Sequence, residues 1–125
     1  MTLQEALDLT DEMKPNLMSR KLKVKYLQEL EQLIHAEVLL KHMHRPDQRE
    51  KPELSEDTDP GQVLLAPDPY SMVYVYWLMS KIDLVNQEDA RYNNDRMQFE
   101  NAYMTMCDWW NRTYMPIPRR REIRI

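Results

Sequence analysis

Residues 68–116 read DPYSMVYVYWLMSKIDLVNQEDARYNNDRMQFENAYMTMCDWWNRTYMP, with no glycine and with no proline between Pro69 and Pro116. All three tryptophans, six of the seven tyrosines and the only phenylalanine of the chain lie here. Glycine and proline are the residues that most strongly interrupt helices, and their absence leaves room for two long ones. The stretch therefore predicts two aromatic-rich helices followed by a short basic tail.

The first of these helices is predicted over residues 69–85. Asp68 can cap a helix, and Pro69 fits the first helical position. Residues 72–79, MVYVYWLM, are apolar on all sides, which predicts burial on more than one side. Their β-branched and aromatic content also suits a strand, but no second strand is visible to pair with it.

A second aromatic helix is predicted over residues 87–112, with Asn86 and Asp89 as its caps. Its large apolar residues recur at helical spacing. The two helices are separated by almost nothing, which predicts an antiparallel hairpin or a kinked continuation. Six aromatic side chains are predicted to pack the core or to contact another subunit: Trp77, Tyr92, Phe99, Tyr103, Trp109 and Trp110. Adjacent residues on a helix point about 100° apart, so Trp109 and Trp110 cannot face one core together.

Two further helices are predicted in the N-terminal half, over residues 2–13 and 19–42. Thr2 and Glu5 have capping-box spacing, and Pro15 ends the first helix. The second carries an apolar stripe at three- and four-residue steps, and the opposite side is assigned to Glu29, Glu31, Gln32 and Glu37. It begins with four basic residues, which predict either a solvated basic face or a contact with an acidic partner: Arg20, Lys21, Lys23 and Lys25.

Residues 43–68 are predicted to be a long polar loop, because prolines and charged residues dominate them. Within it, residues 64–66 are predicted to lie as a short extended piece against a neighbour. The chain has 125 residues, which suits one domain. We divide it into a helical domain over residues 1–115 and a basic tail over residues 116–125. The predicted fold class is all-α, a small bundle of about four helices.

Composition argues against several classes of protein. The net charge of −4 is unlike that of a generally basic nucleic-acid binder. Gly61 is the only glycine, so the chain has no glycine-rich phosphate loop. No apolar run approaches the roughly 20 residues of a membrane helix, and the first residues do not resemble a signal peptide. We therefore expect the protein to be cytoplasmic where it is made.

The sequence contains no recognisable catalytic or metal-binding constellation. His35, His42 and His44 lack the spacing of a zinc site and are predicted to be ordinary surface histidines. Cys107, the only cysteine, has no histidine nearby in sequence to act as its base and is predicted to be a small core or interface residue. We predict that the protein is not an enzyme and binds no metal or cofactor.

The tail interleaves isoleucines with arginines, a pattern that favours a docking peptide over a simple solvated end. It could contact DNA phosphates or an acidic protein groove, and a solubilising end is the plainer alternative. Its candidate docking residues are Met115, Ile117, Arg119, Arg120, Arg121, Ile123, Arg124 and Ile125.

Three segments together resemble the head–tail connector, or neck adaptor, proteins of long-tailed bacteriophages and prophages: LQEALDLTDEMKPN, EDTDPGQVLLAPDPY and RYNNDRMQFENAYMTMCDWWNRTYMP. The resemblance covers nearly the whole chain, and the last block is the most distinctive. The ending PIPRRREIRI departs from these proteins, because it is longer and more basic than theirs.

The resemblance implies a helical virion protein that assembles into a ring, usually twelve-fold, below the portal of the DNA-filled head. Such a ring continues the DNA channel without reading sequence and contacts the next neck, stopper or tail protein. It also implies that a C-terminal segment, here residues 115–125, grips the portal. The alternative from the residues alone is a small helical DNA-binding or regulatory protein that uses the basic tail.

Overall fold

The computed structural model describes residues 1–38 and 52–113, and it contains four helices in these ranges. They are α1 (Leu3–Met13), α2 (Arg20–Glu37), α3 (Met72–Val85) and α4 (Asp89–Thr113). Helices make up 68% of the described residues, which contain no strand. The predicted all-α bundle is therefore confirmed.

Helix α3 lies at the centre of the bundle and packs against the other three helices. Nine of its residues are buried, from Val73 to Asp83. Tyr74 and Leu78 are fully enclosed. The uniformly apolar segment 72–79 thus has the buried position that its composition predicts.

Helix α1 begins at a cap that combines local and distant groups. Thr2 is its N-cap, as the sequence predicts. Three amides of the first turn donate hydrogen bonds outside the helix: Glu5 to Thr2 Oγ1 at 3.2 Å, Leu3 to the Gln62 carbonyl at 2.9 Å and Gln4 to the Pro60 carbonyl at 3.0 Å. The loop around residue 61 therefore satisfies N–H groups that a helix start leaves without intrahelical partners.

The described part of the long loop, residues 52–71, is anchored at several points. Thr2 and Val63 form an isolated antiparallel bridge. The Leu64 amide donates to the Met1 carbonyl at 3.0 Å, and the side chains of Leu64 and Ala66 are buried. Residues 64–66 thus lie against the N-terminal segment and the core.

The start of α3 differs from the prediction. The helix begins at Met72, not at residue 69, with Ser71 in the N-cap position. The Asp68–Pro69 peptide bond is cis. The Tyr70 amide donates to the Pro67 carbonyl at 2.7 Å, and Asp68 accepts from the Ser71 hydroxyl at 2.7 Å. A turn therefore occupies the positions that the Asp-Pro signal assigns to the first helical turn.

Asn86 was predicted as the cap of the fourth helix, and this is wrong. It is the C-cap of α3, and its amide donates to the Ile82 carbonyl at 3.0 Å. Gln87 follows with a φ of 57°, a left-handed conformation that cannot continue a right-handed helix. Helix α4 therefore begins at Asp89 rather than at residue 87. The result is the predicted antiparallel hairpin, in which Trp77 of α3 meets Phe99 of α4.

Helix α2 begins after Ser19, whose hydroxyl oxygen accepts from the Leu22 amide at 3.2 Å. It ends at Glu37, earlier than the predicted position 42. Val38, with φ −114° and ψ −61°, is its C-cap and its side chain is buried. Positions 39–42 lie outside the described residues.

Candidate interaction surfaces

Trp77 is the centre of an aromatic cluster that joins α2, α3 and α4. Its indole N–H donates to the Tyr26 carbonyl at 2.8 Å, and its ring centroid lies 5.0 Å from that of Phe99. The Lys81 ammonium lies 4.2 Å from the Trp77 ring centroid, within range of a cation–π contact. Trp77 and Phe99 are both buried, so the cluster packs the subunit internally.

Tyr103 extends this cluster to the end of α2. Its ring centroid lies 5.6 Å from that of Phe99, and its hydroxyl donates to the Glu37 carboxylate at 3.3 Å. Burial, together with Cys107 and Glu37 beside it, raises the pKa of Tyr103. Tyr92 is half-buried near the start of α4. Tyr103 packs against the core, and a role of either tyrosine in subunit contact remains a prediction.

The two adjacent tryptophans have different degrees of burial, as helix geometry requires. Trp110 is buried in the core, and Trp109 is half-buried at its edge. Their ring centroids lie 5.2 Å apart in an edge-to-face arrangement, and Trp109 also lies 5.6 Å from Tyr70. Trp109 therefore bridges the core and the surface at the start of α3.

A groove of about 370 Å³ runs between the start of α3 and the middle of α4. Neither wall carries a formal charge. Its lining residues are Pro69, Tyr70, Met72, Tyr76, Gln98, Asn101, Ala102 and Thr105. Apolar lining with a few amide and hydroxyl groups is the usual composition of a ligand or peptide site. This groove was not predicted from the sequence, because its two walls come from separate helices.

The basic start of α2 is partly used within the subunit. Lys23 is buried, and its ammonium lies 2.5 Å from the Asp11 carboxylate. Burial alone would raise the pKa of Asp11. The hydrogen bonds from Lys23 and Asn16 together outweigh burial and hold this pKa below its ordinary value. The Arg20 guanidinium donates to the Gln4 side chain at 2.8 Å. Of the four basic residues, Arg20, Lys21 and Lys25 are exposed.

Glu31 was predicted on the exposed side of α2, and this is wrong. Its carboxylate is buried and accepts hydrogen bonds from the Tyr74 hydroxyl and, at 2.9 Å, from the Leu65 amide. The Ala66 amide donates to the Tyr74 oxygen at 2.7 Å. Burial raises the pKa of Glu31 to about 7, against the opposing effect of these hydrogen bonds. Glu31 and Tyr74 are both enclosed by the protein, so a ligand cannot reach them. Their hydrogen bonds to the Leu65 and Ala66 amides connect the loop to α2 and α3.

A second buried polar cluster joins α1 to α3 and α4. The Lys14 ammonium lies 2.5 Å from the carboxylates of both Asp83 and Asp95. Burial alone would lower the pKa of Lys14. The hydrogen bonds to the two carboxylates together outweigh burial and hold this pKa above its ordinary value. Burial and the neighbouring Asp83 raise the pKa of Asp95 despite Lys14. This cluster was not predicted from the sequence, although Asp95 lies one helical turn before the buried Phe99.

The remaining candidate residues give a mixed outcome. His35 is buried, so its prediction as a surface histidine is wrong, while His42 and His44 lie outside the described residues. Cys107 is half-buried. Within residues 1–38 and 52–113, no group of histidine, cysteine and acidic side chains could hold a metal ion. In the same ranges, no helix is long and apolar enough to cross a membrane.

The predicted tail-docking residues, from Met115 to Ile125, all lie outside the described residues, as does the predicted domain boundary at residue 115. Their predicted role is therefore neither supported nor contradicted by contacts. Helix α4 ends at Thr113, two positions before Met115, with Arg112 exposed in its last turn.

The chain was also compared with known proteins at three levels. No protein-family model, no curated protein and no solved structure matches it.

Proposed function

We propose that this protein is a structural subunit of the neck of a long-tailed phage, where it forms a ring, twelve-fold in our proposal, below the portal. The ring continues the DNA channel and presents its other side to the next neck, stopper or tail protein. The protein acts in the host cytoplasm during assembly and then in the virion. It needs no cofactor and no catalytic group in this role.

The observation that carries the proposal is the position of the most distinctive resembling block, residues 91–116. Nearly all of this block lies in α4, the longest helix. One side of α4 holds Phe99, Met106 and Trp110 in the core. Its other side is exposed along the whole helix and carries charged, amide and methionine side chains. A single element thus both builds the subunit and offers a long surface to other subunits, as an assembly protein requires.

Charge supports the same proposal. A net charge of −4 disfavours non-specific binding to DNA phosphates, and this allows DNA to pass a ring without adhering. The arginines of residues 116–125 are then available for a protein partner, the portal. Ionised side chains form the stronger class of hydrogen bonds, and the isoleucines among them can fill apolar pockets.

The proposal is tested with the full chain and a variant that lacks residues 116–125, each mixed with the portal protein of the same phage. The full chain should form a ring-sized complex with the portal, measured by the mass of the assembled species. The truncated protein should keep its helical circular dichroism spectrum and lose portal binding. A full chain that never associates with the portal would overturn the proposal.

The same two proteins distinguish the alternative, a DNA-binding regulator. If the tail serves DNA, truncation should abolish the shift of a DNA duplex in a gel and leave portal binding unchanged. If it serves the portal, truncation should abolish portal binding, and duplex binding should be weak for both proteins.

A further inference from the structure

Residues 62–66, which we call the strap, hold the start of α1 in place. The Gln62 carbonyl accepts from the Leu3 amide at 2.9 Å, and the Leu64 amide donates to the Met1 carbonyl at 3.0 Å. Both contacts are made by backbone groups, which do not titrate. This side of the strap therefore has no response to pH of its own.

The other side of the strap depends on two side chains that can ionise. The Leu65 amide donates to the Glu31 carboxylate at 2.9 Å. The Ala66 amide donates to the Tyr74 oxygen at 2.7 Å, and the Tyr74 hydroxyl donates in turn to Glu31. Tyr74 is fully enclosed, and Glu31 is 2% exposed. The attachment of the strap to α2 and α3 therefore passes, directly or through Tyr74, to one enclosed carboxyl group.

The ionised form of Glu31 is poorly matched to this enclosed position, because burial of a charge is unfavourable. Three groups act on Glu31 in the opposite direction: Tyr74 of α3, the Leu65 amide and the Met1 ammonium. His35, which is also buried and titratable, lies one turn further along α2. Burial outweighs the three favourable groups and raises the pKa of Glu31. An ionised Glu31 therefore gains free energy if water reaches it.

The strap is the part of the enclosure that is displaced most easily. Glu31 belongs to α2 and Tyr74 to α3, where helical hydrogen bonds hold each backbone. The strap belongs to no helix, and it meets the N-terminal segment only in an isolated bridge between Thr2 and Val63 and in the backbone contacts described above. Local opening of such a segment needs less free energy than unfolding of the packed helices.

We propose that the strap opens and closes with pH: it stays on α2 and α3 while Glu31 carries its proton and leaves them when Glu31 ionises. Opening breaks the hydrogen bonds of Leu65 and Ala66 and exposes the side chains of Leu64 and Ala66, which are buried in the closed form. Because the Gln62 carbonyl completes the first turn of α1, opening also weakens the start of that helix. The inference concerns one subunit and does not rest on the proposed function.

Hydrogen exchange of backbone amides in the full chain tests this opening, because a hydrogen-bonded amide exchanges only when its bond opens. The protection factor compares the observed rate with that of an unstructured peptide at the same pH, so the pH dependence of the exchange chemistry cancels. Between pH 5 and pH 7, the protection factors of Leu65 and Ala66 should fall on the order of thirtyfold. This is the change expected for a carboxyl group whose pKa rises from 4.5 to about 7 on burial. Glu31→Gln should keep both protection factors nearly constant.

Glu29→Gln is the matched control, because Glu29 is exposed on the same helix. This variant should show the same fall in protection as the parent. A second measurement on the parent follows the ionisation of Glu31 directly, through the NMR signal of its side-chain carboxyl carbon. The fall in strap protection should level off at the pH where this signal shows Glu31 half ionised, so the test does not depend on the folding of Glu31→Gln.

Urea distinguishes opening of the strap from unfolding of the whole protein. Urea favours a state in proportion to the surface that it exposes. At pH 7, low concentrations of urea should speed exchange of the Met106 amide, whose side chain is fully buried in α4, and leave exchange at Leu65 and Ala66 unchanged. Protection at these two amides that is constant with pH, or that falls equally in Glu31→Gln, would overturn the inference. Strap amides that match Met106 in both protection and urea response would overturn it as well.

Discussion

Glu31 links protonation to folding through a single enclosed carboxyl group. Its ordinary pKa is 4.5, and burial raises the pKa to about 7 in the folded protein. A carboxyl group with a raised pKa stabilises the fold fully below its unfolded value and loses that contribution as the pH rises through the folded value. The contribution of Glu31 is therefore present near pH 4.5, falls between pH 4.5 and 7, and is absent above that window.

Glu31→Gln should remove this pH dependence. The amide keeps an oxygen acceptor for Tyr74 or Leu65 and does not ionise. We expect the variant to gain stability relative to the parent between pH 5 and pH 8, by up to about 3 kcal/mol. The measurement is the free energy of unfolding in urea at both pH values.

Glu29→Gln is the control for this experiment, because Glu29 is exposed on the same helix. It should change the free energy of unfolding equally at both pH values. A constant difference between Glu31→Gln and the parent from pH 5 to pH 8 would contradict the role assigned to Glu31.

The adjacent tryptophans should differ in their contribution to stability. Trp110 is 3% exposed, so Trp110→Ala should cost about 3–5 kcal/mol of unfolding free energy. Trp109→Ala should cost clearly less, because Trp109 is only half-buried. Replacement of both should impair folding or assembly. Urea unfolding of the three variants measures this, and equal costs for the two single variants would refute the assignment of Trp110 to the core.

For single residues, the sequence predicted the burial of apolar side chains better than the burial of polar ones. Trp77 and Phe99 lie in the core, as their helical spacing suggested. Glu31 was placed on the wrong side of α2 because glutamate is rarely buried. Its position four residues after Leu27 and three before Ile34 was the available signal, since both flank it on the buried stripe. Only the loop amides and Tyr74, distant in sequence, explain why a carboxylate is tolerated there.

At the level of secondary-structure elements, Lys14 links the end of α1 to α3 and α4 through its ion pairs with Asp83 and Asp95. Lys14→Met would leave the buried carboxylates of Asp83 and Asp95 without their counter-charge. Removal of one partner from a buried ion pair costs about 3 kcal/mol or more. We expect this loss of stability at neutral pH and a smaller loss at acidic pH. Asp95 has a raised pKa, so it becomes protonated at a higher pH than an ordinary aspartate and then no longer needs a counter-charge.

The control for Lys14→Met is Lys21→Met, which changes an exposed lysine. Thermal unfolding at pH 7 and pH 5 gives the comparison. If both lysine variants lost equal stability, or if the loss at Lys14 grew on acidification, the cluster would not have the electrostatic role described above.

The ends of the helices show where local signals suffice. Thr2 caps its helix as predicted, and Ser19, predicted as the first residue of its helix, is the cap of that helix. Each cap involves an amide only three residues away. Asp68 and Asn86 carry equally good local signals, and both predictions failed. Asp68 bonds to the Ser71 hydroxyl in a turn, and Asn86 closes the preceding helix. Tertiary packing of the α3–α4 hairpin decides between such alternatives, and a single sequence does not display it. The groove beside Tyr70 and Tyr76 went unpredicted for the same reason.

For the whole molecule, the proposed portal contact makes a prediction about salt. Replacement of Arg119, Arg120, Arg121 and Arg124 by glutamine should weaken portal binding and make the remaining binding less sensitive to salt. Ionic strength screens contacts between exposed charges, so an apolar remainder responds less. Binding measured at low and high salt tests this. Lys21 and Lys25 changed to glutamine provide the comparison on another basic surface, and an unchanged salt response in the arginine variant would contradict the prediction.

The cap of α1 has a consequence for the order in which the chain can fold as it is synthesised. The carbonyl groups that complete its first turn belong to Pro60 and Gln62, and the buried surface against which it packs belongs to α3. A ribosome that adds about 5–20 residues per second needs several seconds to reach these residues after α1 has been made. An isolated helix as short as α1 is marginal in water. The nascent N-terminal segment therefore lacks its stabilising contacts until most of the protein has been synthesised.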